Sequence, residues 1–401
     1  MHDSREVKAK VIAQTRAIKE VEGGYAVQSQ TSKRLYFVNS HDWSCTCPDC
    51  QFNQVTRCKH VRAVKYWLGI EKIDANGAKT IEKVRLTYPQ AWEAYNKAQT
   101  SEVEQFDVLL KDLLESVEEP TYEFGRPQLS QREVLFCAIK KVYSQMSSRR
   151  AKGLFNQAQA REVIKSSPHF NAVSKLWNEE QTAEILNKLV ALSAQPLKSV
   201  ETTFAIDSTG FRTTSYSQYC QEKHGADRQQ KWVKLHAVCG TKTNVITSVD
   251  ITDNNSGDSK FFAPLMTNTK DAGFNIEKVV ADKAYNSINN YNLIQEFGGQ
   301  AYIPYKSNIT AHCTSGNKAR LWRKMFHYFQ MNQEEFMQHY HARSNAETTF
   351  HMLKSKLGDG LKSKNFVAQK NELLCKILAH NIMVLNHETH ELGITSQVGV
   401  I

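Results

Sequence analysis

The sequence predicts an α/β protein with a small metal-binding module ahead of it. After Ser199, short β-branched runs alternate with helical segments, and between Ser130 and Ser199 the pattern is helical throughout. Four of the nine cysteines, Cys45, Cys47, Cys50 and Cys58, also crowd into fourteen residues. The 401 residues suffice for two or three domains, and 41% hydrophobic content suffices for packed cores.

An excess of 51 Lys+Arg over 41 Asp+Glu gives a net charge of +10 and favours a polyanionic partner. The most apolar stretch, Glu372 to Leu385, is interrupted by Lys376, His380 and Asn381, so no membrane span is expected. Met1 to Lys10 is charged, and no signal-like apolar run follows it. A cytoplasmic location is therefore expected, where thiols stay reduced and clustered cysteines read as metal ligands.

The elements follow in order. Gly24 to Val38 alternates, is rich in Tyr, Val and Phe, and reads as a β-hairpin; Val61 to Leu68 has helical spacing. Residues 71–124 read as a partly helical linker, with Phe106, Leu109, Leu110, Leu113 and Leu114 on one helix face. Gly125-Arg126-Pro127 punctuates the chain, and Ser130 with Glu133 has the form of a capping box opening a helical region, 125–200. In 201–395 the strands are Thr202–Ile206, Trp232–Val238, Val245–Ile251, Val279–Ala281 and Ala301–Pro304, with helices at Lys260–Ala272 and Ser287–Phe297.

Cys45-Thr-Cys47 and Cys58-Lys-His60 supply three thiols and an imidazole, the donor number and softness of a tetrahedral zinc site. The CxC, ten residues, CxH pattern resembles the SWIM zinc finger over about residues 24–70, within a domain read as 1–70. That resemblance implies Zn2+ on Cys45, Cys47, Cys58 and His60, with Cys50 as a spare thiol, and a role in binding DNA or protein.

Asp207 follows an apolar strand and is expected at or near its end; Asp282 repeats that context after Val279-Val280-Ala281. Glu347 lies in a helical stretch whose apolar face is Ala346, Phe350, Leu353 and Leu357. On a helical wheel started at Tyr340, the residues Tyr340, Arg343, Glu347 and Lys354 form one polar stripe beside that face. Two strand-end aspartates and a helical glutamate supply the hard oxygens that two divalent cations need for phosphoryl transfer.

Asp207-Ser-Thr-Gly, Lys231-Trp-Val-Lys-Leu-His236, Ala281-Asp282-Lys-Ala-Tyr285 and Tyr340-x2-Arg343-x3-Glu347-x6-Lys354 resemble, in order, the motifs of DDE transposases of insertion sequences. The last is similar to the family-four Y-R-E-K signature. The resemblance implies an RNase H-like core, a mixed sheet flanked by helices, with Asp207, Asp282 and Glu347 holding Mg2+, or Mn2+ as substitute. It implies Tyr340, Arg343 and Lys354 on transposon-end DNA, cleavage at the ends with transfer of 3′ hydroxyls into target DNA, a homodimer on DNA, and a nucleoid-associated protein of a prokaryote. Only 64 residues separate Asp282 from Glu347, too few for the long β-rich insertion that holds a DNA hairpin in some members, so the excision route stays open.

Two segments are expected to contribute to DNA binding. One is the helical region with Arg126, Arg132, Lys140, Lys141, Arg149, Arg150 and Lys152; the other is Lys306 to Gln338, where Lys318, Arg320, Arg323 and Lys324 accompany Trp322, Phe326 and Tyr328. His236 is expected as a core histidine. The alternatives are a transposase-derived DNA-binding or adaptor protein that no longer catalyses, and an RNase H-like nuclease.

Overall fold

The computed structural model describes residues 4–15, 18–21, 23–30, 34–40, 43–53, 58–68, 72–73, 79–80, 91–120, 124, 129–214, 223, 231–254, 256–309 and 316–394. The chain divides into two compact units, Met1–Gln90 and Ala91–Ile401.

In the first unit, α1 (Ser4–Thr15) leads into an antiparallel sheet of β1 (Ile18–Val21), β2 (Gly24–Gln28) and β3 (Leu35–Asn39). The expected hairpin is β2–β3, with Tyr25 opposite Val38 and Val27 opposite Tyr36. Gly24 is required there, because a Cβ would sit 2.1 Å from the Val38 carbonyl oxygen. β1 carried no alternating signal, since three of its four residues are exposed. The helices α2 (Pro48–Asn53) and α3 (Lys59–Trp67) and the short strands β4 (Lys72–Ile73) and β5 (Lys79–Thr80) complete the unit. Its core is slight, with Ile12, Val27, Val38, Val61 and Val64 packed around the thiols of Cys45, Cys47 and Cys58. A core of this size ordinarily needs a metal or a cross-link to hold it.

The second unit opens with helices α4 (Trp92–Leu114), α5 (Gln131–Tyr143), α6 (Ser148–Ala160), α7 (Phe170–Trp177) and α8 (Gln181–Ala194). Then follow β6 (Thr203–Arg212), β7 (Trp232–Gly240), β8 (Ile246–Asp253), α9 (Phe262–Asp271), β9 (Lys278–Ala281), α10 (Ile288–Glu296) and β10 (Gln300–Tyr302). The last helices are α11 (Arg320–Met331), α12 (Gln333–Tyr340), α13 (Ser344–Leu357) and α14 (Phe366–Leu392). The sheet order is β10-β9-β6-β7-β8, with β6, β7 and β8 antiparallel and β9 and β10 parallel to β6, so the sheet is mixed.

The predicted face of α4 is buried at Phe106, Leu109, Leu110, Leu113 and Leu114, and it packs on α14, which also contacts α5, α7 and α8. The Ser130 hydroxyl caps α5 by accepting from the Glu133 N–H. Glu133 does not reach back as in a capping box. Its carboxylate instead accepts from the Lys165 and Ser166 N–H groups, while Glu119 accepts from Gln131 and Arg132 at the helix start.

The polar residues that interrupt α14 are hydrogen-bonded inside the fold. Buried Asn381 accepts from the Ile246 N–H at 2.9 Å and donates to the Ile246 carbonyl at 2.7 Å and to Ser193 Oγ at 2.9 Å. Asn381→Leu strands those partners at about 1–3 kcal/mol each. The expected loss is about 2–5 kcal/mol of unfolding free energy, read from denaturant midpoints.

His380 donates from Nε2 to the Asn244 carbonyl at 2.9 Å, and burial holds its pKa down at about 4. The unfolded ring titrates near 6.5, so the neutral buried ring contributes its stability above that pH and loses it as pH falls toward 4. The difference between wild type and His380→Gln, followed by denaturant unfolding, is expected to shrink by up to about 3 kcal/mol across that window. A difference independent of pH would contradict it.

Candidate active site and metal centre

In the first unit, Cys45 continues the sheet by bridging to Val38, and the Phe37 carbonyl accepts from the Thr46 N–H at 3.0 Å. Cys47 opens a tight turn whose Cys50 and Gln51 N–H groups both return to its carbonyl at 3.0 Å. Cys58 occupies the N-cap of α3, which places His60 in the first turn of that helix. The sulfurs of Cys45, Cys47, Cys50 and Cys58 lie within 4.8 Å of one another, and His60 Nδ1 is 4.0 Å from the sulfurs of both Cys45 and Cys58.

His60 is buried against Tyr36, and its Nε2 has no hydrogen-bond partner. The Cys58 thiol is pulled down to about 3, chiefly by its hydrogen bond with Cys45. Buried thiols converging beside a buried imidazole fit a zinc ion, with Cys50 joining the four donors expected from the spacing.

Asp207 is not at a strand end. β6 runs on to Arg212, because the antiparallel partner β7 keeps pairing with it. The parallel neighbour β9, however, stops at Ala281, opposite Ile206. Asp207 is thus the first β6 residue without a parallel neighbour, and Asp282 is the first residue beyond β9, where it caps a one-turn 3-10 helix, Lys283–Tyr285. The two aspartates meet where the parallel half of the sheet ends.

Side chains alternate along β6, so Asp207, Thr209 and Phe211 share a face, and α13 packs on β6. Arg343 Nη2 donates to Asp207 Oδ2 at 2.8 Å, and its Nη1 donates to Glu347 Oε1 at 2.7 Å. Lys354 Nζ donates to Thr209 Oγ1 at 2.7 Å and lies 5.2 Å from the centre of the Phe211 ring. The loop after α13 then pairs with the end of β6, Arg212 N–H to the Asp359 carbonyl at 2.9 Å and Leu361 N–H to the Arg212 carbonyl at 2.7 Å. Gly358 turns the chain there with φ of 78°.

The predicted apolar face of α13, Ala346, Phe350, Leu353 and Leu357, is buried, but the stripe is not one continuous helix. α12 ends at Tyr340, and a 3-10 turn, His341–Arg343, precedes α13. That turn is what lets Arg343 reach back to β6.

Burial raises the pKa of Asp207; the Ser208 N–H and Arg343 pull it down, and the charges of Asp282 and Glu347 add to the rise. The contribution of such a group to stability is present at low pH and is lost as pH rises through its raised pKa, so at neutral pH the ionised carboxylate is a cost to the fold. Three carboxylates, one of them disfavoured as an anion by burial, supply the hard oxygen donors that fit divalent cations. The carboxylate oxygens of the three acids do not all lie within 4.8 Å of one another, and the Arg343 guanidinium lies between Asp207 and Glu347. Tyr340 is half-buried, its hydroxyl raised by burial and felt by Arg343 and all three acids. Tyr285 is buried with a hydroxyl that has no hydrogen-bond partner and that also feels Asp207 and Asp282.

Several of the cations expected on DNA make contacts within the protein, and Lys140 and Lys141 are buried. Lys140 pairs with buried Asp107, Lys141 lies 4.1 Å from the Trp177 ring centre, Lys152 holds the Ser167 carbonyl at 2.8 Å, and Arg132 holds the Val117 carbonyl at 2.6 Å. Arg149 and Arg150 remain exposed, and Arg126 lies outside the described residues. Likewise Trp322 and Phe326 are buried, stacked on each other, and Trp322 donates to Asn286 Oδ1 at 2.8 Å; of the four cations named in that segment, Lys318, Arg320 and Lys324 are exposed, while Arg323 is partly buried and donates to the Gly316 carbonyl at 3.1 Å. His236 is fully buried, 3.0 Å from Thr252 Oγ1 and stacked on Phe261, a core histidine as expected.

Fold and site together define an α/β domain with an acidic centre at the edge of the parallel half of its sheet. Residues 198–382, from just ahead of β6 into α14, match the family model described as Transposase DDE domain, and they contain Asp207, Asp282 and Glu347. Among solved structures, the chain is similar to the piggyBac transposase synaptic complex with hairpin DNA, determined by cryo-EM. The identity is 9%, with 77% of each chain covered and a TM-score of 0.34. No helix among the described residues is long and apolar enough to cross a membrane.

Proposed function

We infer that the chain is a DNA transposase of the cut-and-paste type, which cleaves at transposon ends and transfers the 3′ hydroxyls to target DNA. One observation carries this reading: Asp207 and Asp282 converge where the parallel strands stop, and Arg343 ties Asp207 to Glu347 on α13. The strand order, with an antiparallel half beside a parallel half, supports an RNase H-like core. Asp207, Asp282 and Glu347 are the residues to hold magnesium, or manganese in its place. The bound metal supplies activation of the attacking oxygen and neutralisation of the leaving one.

The protein's own part is placement. Tyr340, Arg343 and Lys354 line the approach with one hydroxyl and two cations suited to backbone phosphates, which fix the register of a duplex without reading its bases. Lys354 is preset by Thr209, two residues along β6 from Asp207, so a phosphate held there lies beside the acids. The first unit is read as a SWIM-type finger whose Cys45, Cys47, Cys58 and His60 hold zinc, and a dimer brings two transposon ends together.

The test is a labelled duplex carrying the element's own ends, incubated with magnesium or with EDTA. Metal-dependent 3′-hydroxyl ends that then join a second duplex are expected. Tight binding without cleavage in magnesium or manganese would replace this reading with the DNA-binding adaptor, and cleavage without joining would replace it with the nuclease.

A further inference from the structure

We propose that Arg343 couples divalent-metal loading to DNA engagement: its guanidinium and the metal compete for Asp207 Oδ2 and Glu347 Oε1, and a backbone phosphate that captures the guanidinium frees both oxygens. The proposal rests on the reading of Asp207, Asp282 and Glu347 as metal ligands and adds the order in which that site is filled.

The geometry is specific. Two nitrogens of one planar guanidinium each hold a different carboxylate, Nη2 on Asp207 at 2.8 Å and Nη1 on Glu347 at 2.7 Å. The other Asp207 oxygen, Oδ1, already accepts from the Ser208 N–H at 2.9 Å. Both Asp207 oxygens are therefore engaged, and a dication could coordinate Oδ2 only by displacing Arg343 or sharing the oxygen with it. Sharing puts a fixed positive charge against the dication in a partly buried setting, where like charges repel far more than in water.

Arg343 is also placed to leave. It sits in the 3-10 turn between α12 and α13, its Nε is buried without a hydrogen-bond partner, and among the described residues its guanidinium donates to the two carboxylates alone. A phosphate satisfies the same fork as well as a carboxylate does. Two ligands that each favour the displaced position of Arg343 must help one another, so DNA tightens metal binding and metal tightens DNA binding by the same factor. An enzyme wired in this way loads its metals when a strand is present to be cut.

The test is calorimetric titration of the full-length, zinc-loaded protein with Mn2+, with and without a short generic duplex. Without DNA, Arg343→Gln is expected to bind Mn2+ about tenfold more tightly than wild type. The duplex should tighten Mn2+ binding by wild type and leave Arg343→Gln unchanged. Arg343→Lys, which keeps the charge but cannot bridge both acids, is expected to fall between them and controls for a misfolded Gln variant. If Asp207→Asn loses Mn2+ binding while Arg343→Gln and Arg343→Lys bind no more tightly than wild type, the coupling is wrong and the metal site stands. If Mn2+ binding survives both Asp207→Asn and Asp282→Asn, the metal-ligand reading itself fails and the coupling goes with it.

Discussion

Asp207→Asn, Asp282→Asn and Glu347→Gln are each expected to lower metal-dependent strand cleavage by about a thousandfold or more, equivalent to about 4 kcal/mol of lost transition-state stabilisation. Each change removes one negative oxygen while keeping shape, so the loss is one of charge at the metal site and not of packing. The fold should not suffer. Burial disfavours the ionised form of Asp207, and an amide there is relieved of that cost, so the thermal midpoint of Asp207→Asn should equal or exceed that of wild type at neutral pH. Duplex binding by fluorescence anisotropy should also persist, because Arg343 and Lys354 are unchanged. Any of the three variants that keeps more than a tenth of wild-type cleavage with a normal melting curve would remove its acid from the catalytic set.

The second large effect is expected in the first unit. Its core is built around Cys45, Cys47 and Cys58, and structural zinc in finger peptides contributes about 10–16 kcal/mol, more than a core of this size supplies alone. Chelation, or Cys58→Ala, should make residues 4–68 susceptible to limited proteolysis while residues 91–394 stay resistant. His60→Ala should weaken zinc retention against a competing chelator more than Cys50→Ser does. His60 is 2% exposed, and its only polar contacts among the described residues are the Cys45 and Cys58 sulfurs, whereas Cys50 is half-buried. One zinc per chain by elemental analysis is expected. Protein that carries no zinc and resists protease as well in chelator as without it would show that the thiols are ordinary core residues.

Period and spacing determined much of this protein. The β2–β3 hairpin, the buried faces of α4 and α13, the strand and helix order from β6 to α10, and the position of Asp282 after β9 all follow from local rules: alternation on strands, a 3.6-residue repeat on helices, and apolar runs that stop at a charge. The cysteine cluster was equally legible, since a CxC and a CxH bring donors together by chain connectivity alone.

Tertiary structure decided the rest, because pairing partners are distant in sequence. β6 could not be seen to run past Asp207, since its extension to Arg212 depends on β7. Lys140 and Lys141 read as DNA contacts until Asp107 and Trp177 claimed them, and Trp322 and Phe326 read as base-stacking residues until Tyr305 and Asn286 enclosed them. A cation or an aromatic ring has the same letter whether it meets a phosphate, a buried carboxylate or another ring; only the packing selects the partner. Arg343 shows this most clearly. Its spacing marked a stripe beside Glu347, but the fork that joins Asp207 to Glu347 exists only once α13 is laid across β6, which brings a partly buried aspartate and an exposed glutamate to the same guanidinium.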